Sequence, residues 1–392
     1  MIPSILPTYN RAPLSFVSGS GSWLTTDDGR RFLDLGAGIA VNSLGHAHPE
    51  LVVALTAQAR QLWHTSNLYH IPAQQKLADQ LVDLTFADTV FFTNSGTESC
   101  ELAVKMARKH FYDKGQPERV KIITFAGSFH GRSSAGIAAA GAEKMIKGFG
   151  PLLPGFVHVP FAEHDALHAA MSDKIAAVMI EPIQGEGGIR QVPEHCLKGL
   201  RDFCDSHGIL LIFDEVQCGV GRSGKLFAHE WAGIEPDIMM VAKGIGGGFP
   251  IGAVLATEDA ASGMTAGTHG STYGGNPLGC AVGSAVLERV AAPKFLADVN
   301  RKAGLMRQSL EGLIAQFPDV FDGVTGVGLM LGLKCKANNI DVVNAGYAAE
   351  VLTVPAAENV VRLLPALNIS DEDITQALSR LKAAAQIVQT AQ

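Results

Sequence analysis

The sequence lacks the features that mark several large classes of protein. Its six cysteines are scattered and show no C-x-x-C spacing, which argues against a disulfide framework or a zinc site. Lys and Arg number 31 against 38 Asp and Glu, for a net charge of −7. Without a basic block, nucleic acid and anionic membranes are poor partners. No apolar run approaches the roughly 20 residues that span a bilayer. We therefore expect no nucleic-acid partner, no membrane association and no metal.

The first ten residues hold two prolines and lack the basic-then-apolar pattern of a signal peptide. Together with reduced thiols, this favours a cytoplasmic protein. Glycine, in contrast, is abundant, with 43 of 392 residues against a usual share of about 7%. Glycine-rich loops allow a backbone to approach a ligand closely, which indicates a globular protein that handles a small molecule.

The length of the chain and its 47% apolar content suit two domains. From about residue 88, short apolar runs alternate with helix-like stretches, a pattern typical of a mostly parallel sheet covered on both faces. The runs are Thr89–Thr93, Lys121–Phe125, Ile175–Ile180, Ile209–Phe213, Ile238–Ala242 and Ala253–Ala256. No helical stretch separates the last two, so at least one antiparallel pair is expected. We predict a large domain over 49–285 and a smaller α+β domain over 286–392, which the segment 1–48 joins.

In open parallel sheets, ligands bind beyond the carboxyl ends of the strands, so the residues that follow each run are candidates for a site. After the first run, Ser95 and Glu98 have the spacing of a capping box that opens a helix. Gly96 and Thr97 would then present backbone N–H groups to a phosphate at the positive end of that helix. The alternative is an ordinary helix cap.

Two more strand ends carry ionisable groups. Asp214 closes an apolar strand, where a carboxylate is costly unless it meets a cation or a strong donor. It is either a partner for a protonated ring nitrogen or a structural cap or ion pair. Lys243 precedes a run of glycines and is either a surface lysine or a desolvated nucleophile that forms a Schiff base. A phosphate site, a ring-nitrogen carboxylate and such a lysine together meet the needs of pyridoxal 5'-phosphate.

Six motifs in register give the chain a clear resemblance to class III aminotransferases. They are 94–98, 129–132, 181–188, 214–217, 243–248 and 268–277. Within that class the chain is similar to members that act on N2-acetyl-L-ornithine. The resemblance implies the fold type I of pyridoxal-phosphate-dependent transferases. In that fold a large domain with a mostly parallel, seven-stranded sheet binds the cofactor, beside a smaller α+β domain.

The resemblance also implies roles for the cofactor-binding residues. Lys243 would carry the cofactor as a Schiff base and move the proton of the substrate carbon, and Asp214 would keep the ring nitrogen protonated. Gln217 would bond the ring hydroxyl, and Phe129 would stack on the ring unless it is a core aromatic. Gly96 and Thr97 would bind the phosphate from one subunit. The residue matching Thr272 reaches that phosphate across a dimer interface, which implies a homodimer with shared active sites.

The substrate residues follow from the same resemblance. Arg132 would bind the carboxylate remote from the reacting amine, because a guanidinium group grips a carboxylate in a forked geometry. Arg362 would bind the proximal carboxylate of the 2-oxo acid. Glu186 would mask Arg362 while the amine donor is bound, or else form a purely structural ion pair. Ser271 would lie near the substrate; for Ser271 and Thr272 the alternative is a surface turn.

The activity implied is transfer of the terminal amine of N2-acetyl-L-ornithine to 2-oxoglutarate, giving N-acetyl-L-glutamate 5-semialdehyde and L-glutamate, a step of arginine biosynthesis. Ile39 lies where ornithine-specific members tend to place a tyrosine, which favours the acylated donor. Succinylornithine, N-succinyl-diaminopimelate, ornithine and 4-aminobutyrate are alternative donors. A catalytically dead binding protein of the same fold is a further alternative, although it would be expected to lack Lys243 or Asp214.

Overall fold

Strands and helices alternate through residues 2–391, the part of the chain that this computed structural model describes. The strands are β1 (Phe16–Ser20), β2 (Trp23–Thr26), β3 (Arg31–Asp34), β4 (Thr89–Thr93), β5 (Lys121–Phe125), β6 (Phe156–Val159), β7 (Ile175–Ile180), β8 (Ile183–Gln184), β9 (Arg190–Gln191), β10 (Leu210–Asp214), β11 (Ile238–Val241), β12 (Gly252–Ala256), β13 (Phe321–Val327), β14 (Met330–Cys335), β15 (Val351–Leu352), β16 (Val354–Ala356) and β17 (Val360–Leu363).

The helices cover the faces of these sheets. They are α1 (Ala37–Ala40), α2 (Pro49–Ala59), α3 (Pro72–Leu84), α4 (Gly96–Asp113), α5 (Ser134–Ala140), α6 (Glu143–Ile146), α7 (His164–Ala169), α8 (Glu194–His207), α9 (Glu258–Ala261), α10 (Pro277–Val290), α11 (Pro293–Gln316), α12 (Asn339–Ala348) and α13 (Asp371–Ala391). The segment α1 is a single left-handed turn, with positive φ at all four residues. No helix among residues 2–391 has the length and apolar character needed to cross a membrane.

A seven-stranded sheet in the order β4-β12-β11-β10-β7-β5-β6 forms the centre of the molecule. Strands β5, β6, β7, β10 and β11 run parallel to one another, whereas β12 is antiparallel to both of its neighbours. The predicted α/β fold with a mostly parallel sheet is therefore confirmed, including the antiparallel pair near residues 240 and 254. The apolar runs did not reveal β6, because this edge strand has four residues and only Val159 is buried.

The strands at the middle of the sheet are buried along their whole length. Every residue of β7 and β10 is inaccessible to solvent or nearly so. One face packs against the apolar side of α4, with Leu102, Ala103 and Met106, and the other packs against α8. Burial on both faces explains why these strands are continuous apolar runs and do not alternate.

The last hundred residues form a second, antiparallel sheet in the order β13-β14-β17-β16. The N-terminal hairpin lies beside them, because β15 pairs in parallel with β3. The indole Nε1 of Trp23 also donates a hydrogen bond to the Asp373 carboxylate at 2.8 Å. The domain boundaries at 48 and 285 stay a prediction.

This topology brings three chain segments to the same edge of the large sheet. Strand β10 ends at Asp214, β11 is followed within two residues by Lys243, and β4 leads directly into the amino end of α4. Parallel neighbours end at the same edge, so residues more than a hundred positions apart meet there.

Candidate active site

A cleft of about 410 Å3 lies beyond these strand ends. Six of the seven residues predicted to bind the cofactor line it: Gly96, Thr97, Phe129, Asp214, Gln217 and Lys243. Thr272 does not line the cleft of its own chain. The cleft is also lined by Val41, His130, Glu181 and the segment 248–251.

The amino end of α4 faces the cleft. Ser95 caps the helix by accepting a hydrogen bond from the backbone N–H of Glu98 at 3.3 Å. The Glu98 carboxylate accepts from the backbone N–H of Asn94 at 2.8 Å, one residue before the cap. Of the two hydrogen bonds of the predicted capping box, the one accepted by the Ser95 side chain is present. The Glu98 carboxylate bonds the backbone N–H of Asn94 and not that of Ser95. The first N–H groups of a helix have no partner within it, so Gly96 and Thr97 present free donors to an anion.

Two glycines allow this end of the helix to sit close to its neighbours. A Cβ atom at Gly96 would lie 2.7 Å from Cγ1 of Val216, nearer than packed carbon atoms approach. Gly131 has a φ of +109°, and a Cβ there would lie 2.5 Å from Oγ1 of Thr97. Both positions therefore exclude larger side chains, and the phosphate-binding segment can pack directly on the two loops that carry Val216 and Gly131.

The Asp214 carboxylate is buried and held from two sides. Its Oδ1 accepts a hydrogen bond from the backbone N–H of Val216 at 3.0 Å. Its Oδ2 lies 2.7 Å from Nδ1 of His130, a side chain that is itself 2% exposed. The strong donor that a carboxylate at this position requires is thus a histidine.

Glu181 is a second buried carboxyl group beside the cleft. It accepts hydrogen bonds from the backbone N–H groups of Phe129 at 2.8 Å and Gly185 at 3.1 Å. Burial, with the charge of Asp214 second, raises the pKa of Glu181 to about 7. Burial alone would lower the pKa of His130, but its hydrogen bond to Asp214 and the charges of Asp214 and Glu181 raise the pKa overall. Two carboxyls and an imidazole therefore share one poorly solvated region.

Lys243 begins a short turn directly after β11 and has a φ of +47°, which is unusual for a residue with a side chain. Its amine has no hydrogen-bond or ion-pair partner within residues 2–391. Burial lowers the pKa of Lys243, against the opposing influence of the Glu186 and Asp214 charges. A larger fraction of the amine is thus unprotonated at neutral pH, which is the form that acts as a nucleophile or a base.

Arg362 is fully buried and forms a forked ion pair with Glu186. Its Nη1 and Nη2 lie 2.6 and 3.1 Å from the two carboxylate oxygens. Nη1 also donates to the side-chain oxygen of Gln217 at 3.2 Å, and Nη2 donates to the carbonyl of Pro355 at 3.1 Å. The pair is therefore connected to the cleft through Gln217.

The remaining predicted substrate residues are more exposed. Arg132 is exposed, and its guanidinium carbon lies 5.7 Å from the ring centre of Phe129. Ser271 is half-buried and accepts hydrogen bonds from the Asn94 side chain and the Gly274 backbone. Thr272 is exposed. Their predicted roles stay predictions.

Sequence reasoning missed His130 and Glu181 as members of this site. Both belong to motifs that were recognised, at 129–132 and 181–188, but neither received a role. A usable signal was present, because a buried Asp214 demands a donor. The sequence offers many histidines, however, and does not say which of them reaches residue 214.

The residues present fit pyridoxal phosphate on several independent grounds. The helix end of Gly96 and Thr97 suits its phosphate, and the oriented Asp214 carboxylate suits a protonated ring nitrogen. The unpartnered Lys243 amine suits its aldehyde, and the half-buried Phe129 offers an aromatic face.

Comparison with known proteins agrees with this fit. A family model described as Aminotransferase class-III matches residues 7–385. Acetylornithine aminotransferase of Rhodobacter capsulatus is 70% identical over 390 residues, which cover 100% of this chain and 99% of that protein. The protein of the same name from Mesorhizobium japonicum is 58% identical, covering 97% and 96% of the two chains.

Solved structures are similar over the same extent. Ornithine aminotransferase from Toxoplasma gondii ME49 superposes with a TM-score of 0.95 at 30% identity, covering 99% of this chain and 94% of that one. N-acetylornithine aminotransferase from Stenotrophomonas maltophilia K279a gives a TM-score of 0.87 at 38% identity, covering 98% of each chain. Since likeness in sequence and in fold extends from end to end, the chain belongs to the class III aminotransferases, enzymes that depend on pyridoxal phosphate.

Proposed function

We propose that this enzyme transfers the terminal amine of N2-acetyl-L-ornithine to 2-oxoglutarate, giving N-acetyl-L-glutamate 5-semialdehyde and L-glutamate. The observation that carries the donor is the 70% identity, over the whole chain, to a protein named acetylornithine aminotransferase. The reaction class is supported by a cleft that contains both the free Lys243 amine and the oriented Asp214 carboxylate. Such an activity would serve arginine biosynthesis.

In this proposal the chain binds the cofactor through groups at three strand ends. The backbone N–H groups of Gly96 and Thr97 would hold its phosphate, Asp214 would hold its ring nitrogen and Lys243 would hold it covalently. Gln217 would bond its ring hydroxyl, and Phe129 would stack on the ring. When bound, the cofactor would accept the electron pair that stays on the substrate carbon after a base removes its proton.

Lys243 is then the group that moves protons. Burial lowers the pKa of Lys243 and so favours its free amine, which would take the proton from the substrate carbon and pass it to the cofactor. Lys243 follows strand β11 and lines the cleft beside Asp214 and Phe129. Asp214, held by His130 and Val216, would balance the positive charge of the ring nitrogen.

Two arginines would select the substrates. Arg132, at the exposed side of Phe129, would bind the carboxylate remote from the reacting amine. Arg362 is already paired with Glu186, which leaves no free positive charge to repel the terminal amine of the donor. When 2-oxoglutarate enters, its carboxylate would replace Glu186 at the same forked donors.

A panel of amine donors with 2-oxoglutarate tests the proposal, with the glutamate produced as the readout. N-acetylornithine should give the highest kcat/KM, followed by succinylornithine, with ornithine and 4-aminobutyrate well below. A control without donor measures background glutamate. Higher kcat/KM for ornithine or 4-aminobutyrate than for N-acetylornithine would overturn the donor assignment.

Ornithine is the second candidate donor, because the fold superposes so closely on an ornithine aminotransferase. Against it stands Ile39, an aliphatic residue within the left-handed turn 37–40. Its side chain is 37% exposed, and Val41 lines the cleft two residues later. The variant Ile39→Tyr sharpens the choice, since it should raise the activity on ornithine relative to N-acetylornithine. An unchanged ratio of the two activities would show that Ile39 does not determine the choice of donor.

We further propose that the enzyme is a homodimer whose active sites each need both chains. Thr272 is exposed and lies next to Tyr273, one of several large apolar side chains that face solvent in a single chain. Trp63, Leu68 and Tyr69 are others, at 66%, 86% and 68% exposure. Large exposed apolar surface marks a protein interface. The ring of Tyr273 also contacts that of His64, which places the two segments side by side.

Complementation between two weakened variants tests the shared site. Lys243→Ala removes the covalent attachment, and Thr272→Ala removes one predicted phosphate contact from the partner. Denaturing and refolding the two variants together should form mixed dimers that contain one intact site, and activity should exceed that of either variant alone. Light scattering gives the mass. A monomer, or an equal mixture no more active than its parts, would contradict the shared site.

A cytoplasmic location is proposed on the sequence alone.

A further inference from the structure

The left-handed turn 37–40 leads directly to the cleft, because Val41 follows it and lines the cleft. Three residues of the turn carry side chains, and Ala37, Ile39 and Ala40 have φ of +46°, +63° and +62°. Left-handed backbone is unfavourable for a residue with a Cβ atom and persists only where surrounding contacts hold it. The conformation of the turn therefore depends on contacts from outside it.

The side chain of Asp34 supplies such contacts at the start of the turn. Its Oδ1 accepts hydrogen bonds from the backbone N–H groups of Gly36 at 2.8 Å and Ala37 at 2.9 Å. Asp34 is the last residue of β3 and is 5% exposed. A buried carboxylate that bonds two successive N–H groups fixes the direction in which the chain leaves the strand.

The second oxygen of Asp34 is bound by a residue beyond the turn. Its Oδ2 lies 2.8 Å from Nε2 of His46, a mostly buried side chain. The backbone of His46 in turn exchanges two hydrogen bonds with that of Gly21, at 2.7 and 3.0 Å, in the N-terminal hairpin. Asp34 and His46 therefore connect the two sides of the turn to each other and to the hairpin.

The chain is attached again after the turn, by contacts in which Asp34 takes no part. The Ser43 hydroxyl donates to the carbonyl of Gly244 at 2.8 Å, the residue after Lys243. The carbonyl of Ser43 accepts from the backbone N–H of Leu367 at 2.7 Å. Loss of the Asp34 contacts should therefore loosen the segment 36–41 and leave Lys243 in place.

The two main candidate donors differ in the part of the molecule that an apolar wall can distinguish. N2-acetyl-L-ornithine carries an acyl group at N2, whereas ornithine carries a charged ammonium group there. An apolar wall disfavours the ammonium group, because it removes water without offering a partner. Val41 supplies an apolar side chain to the cleft, and its place depends on the turn before it.

We propose that Asp34 and His46 are positioning residues that hold the left-handed turn 37–40 at the cleft and so set the preference for an acylated amine donor. This inference rests on the proposed function, because it assumes that the N2 group of the donor lies against this wall. Neither Asp34 nor His46 lines the cleft, so both act through the turn.

The test compares Asp34→Ala, which removes both backbone contacts, with Asp34→Asn, whose side-chain oxygen still accepts them. The kcat and KM of the purified holoenzyme are measured with N-acetylornithine and with ornithine, together with the Kd for pyridoxal phosphate. In Asp34→Ala, the ratio of kcat/KM for N-acetylornithine to that for ornithine should fall about tenfold, mainly through a higher KM for N-acetylornithine. Asp34→Asn should recover most of this ratio.

Two further measurements separate positioning from general damage. The kcat and the cofactor Kd of Asp34→Ala should stay within about twofold of wild type, since Lys243 keeps its place. His46→Leu leaves the contacts from Asp34 to the turn intact and removes the contact behind them. The donor ratio should therefore fall less than in Asp34→Ala, by about threefold.

Asp373→Ala is the matched control, since Asp373 also bonds the N-terminal hairpin, through Nε1 of Trp23 at 2.8 Å, and does not line the cleft. It should lower the Tm without changing the donor ratio. Ratios within about twofold of wild type in both Asp34→Ala and His46→Leu, with a lower Tm, would show a purely structural role and overturn the inference. If Asp34→Ala does not fold, the ratio in His46→Leu decides by the same limit.

The proposed function and this inference fail in different measurements. The donor that the wild-type enzyme prefers tests the proposed function, and a preference for ornithine overturns it together with the inference. If the wild type prefers N-acetylornithine and the variants keep the same ratio, only the inference is overturned.

Discussion

Two regions of the cleft differ sharply in how much one chain supplies. The floor, formed by Asp214, His130 and Glu181, is buried, and each of its carboxyl and imidazole groups is at most 4% exposed. The residues that we assign to the rim, Arg132, Ser271 and Thr272, are exposed or half-buried and do not line the cleft of their own chain. The floor groups are held by contacts within a single chain, whereas Thr272 at the rim adjoins the exposed side chain of Tyr273.

The difference matters because electrostatic interactions depend on solvation. Charges at the floor are poorly screened, so the removal of one partner leaves the other in an unfavourable environment. Charges at the rim are hydrated and screened by salt, so single changes there cost less. We therefore expect substitutions at or near the floor to affect chemistry and cofactor, and substitutions at the rim to affect the affinity for one substrate.

The largest effect is expected at the lysine beside the floor. Lys243→Ala should lower kcat at least about 10⁴-fold, since it removes both the nucleophile and the proton-transfer group. The cofactor should still bind, because the donors of Gly96 and Thr97 are intact. Absorbance and single-turnover kinetics measure both properties. The control Lys76→Ala removes an exposed lysine from a surface ion pair and should leave kcat unchanged. Turnover by Lys243→Ala near the wild-type rate would show that this lysine is not the catalytic amine.

The second-largest effect is expected at the buried Arg362. Arg362→Lys cannot reproduce the forked contact with a carboxylate, so the KM for 2-oxoglutarate should rise about 10- to 100-fold. The half-reaction with the amine donor should change much less. Arg380→Lys is the control, because Arg380 pairs with Glu350 far from the cleft. Equal loss in both half-reactions would indicate that Arg362 is needed for structure and not for the acceptor.

A smaller effect is expected at the rim. Arg132→Ala should raise the KM for the amine donor about tenfold with little change in kcat, because an exposed guanidinium contributes through a screened contact. Arg31→Ala is matched to it, since Arg31 is also exposed and lies over an aromatic ring, that of Trp23 at 4.7 Å. Unchanged donor affinity in Arg132→Ala would exclude the proposed carboxylate contact.

The smallest effect concerns the pH dependence of stability. The pKa of Glu181 is raised to about 7 in the folded chain from 4.5, so between these values the folded state binds more protons than the unfolded state. The free energy of unfolding should therefore decrease as pH rises from about 4.5 to 7, by at most about 1.4 kcal/mol per pH unit. The raised pKa of His130 acts in the same direction.

Urea unfolding of the cofactor-free chain from pH 5 to 8 measures this slope. Glu181→Gln should flatten it, whatever its effect on stability at a single pH. Asp88→Asn serves as the control and should leave the slope unchanged. Asp88 is exposed, and its carboxylate accepts a hydrogen bond from the backbone N–H of Glu258. An identical slope in wild type and Glu181→Gln would mean that Glu181 does not titrate in this range.

Several elements could be predicted because their signals are local. Helices α2 and α3 begin at Pro49 and Pro72, which suit a first turn, and the buried strands appear as apolar runs. The edge strand β6 could not be predicted in this way, since three of its four residues are exposed or half-buried. The N-terminal strand β1 likewise gives no apolar run, because four of its five residues are exposed.

The sequence by itself determined the alternation of strands and helices, the three strand ends that carry chemistry and the motifs that mark the family, because each depends on residues close together in the chain. Only the tertiary structure decided which histidine meets Asp214 and that the guanidinium of Arg362 donates to the side chain of Gln217. These contacts join positions 84 and 145 residues apart. They depend on how the strands are ordered in the sheets, and no local pattern of residues encodes that order.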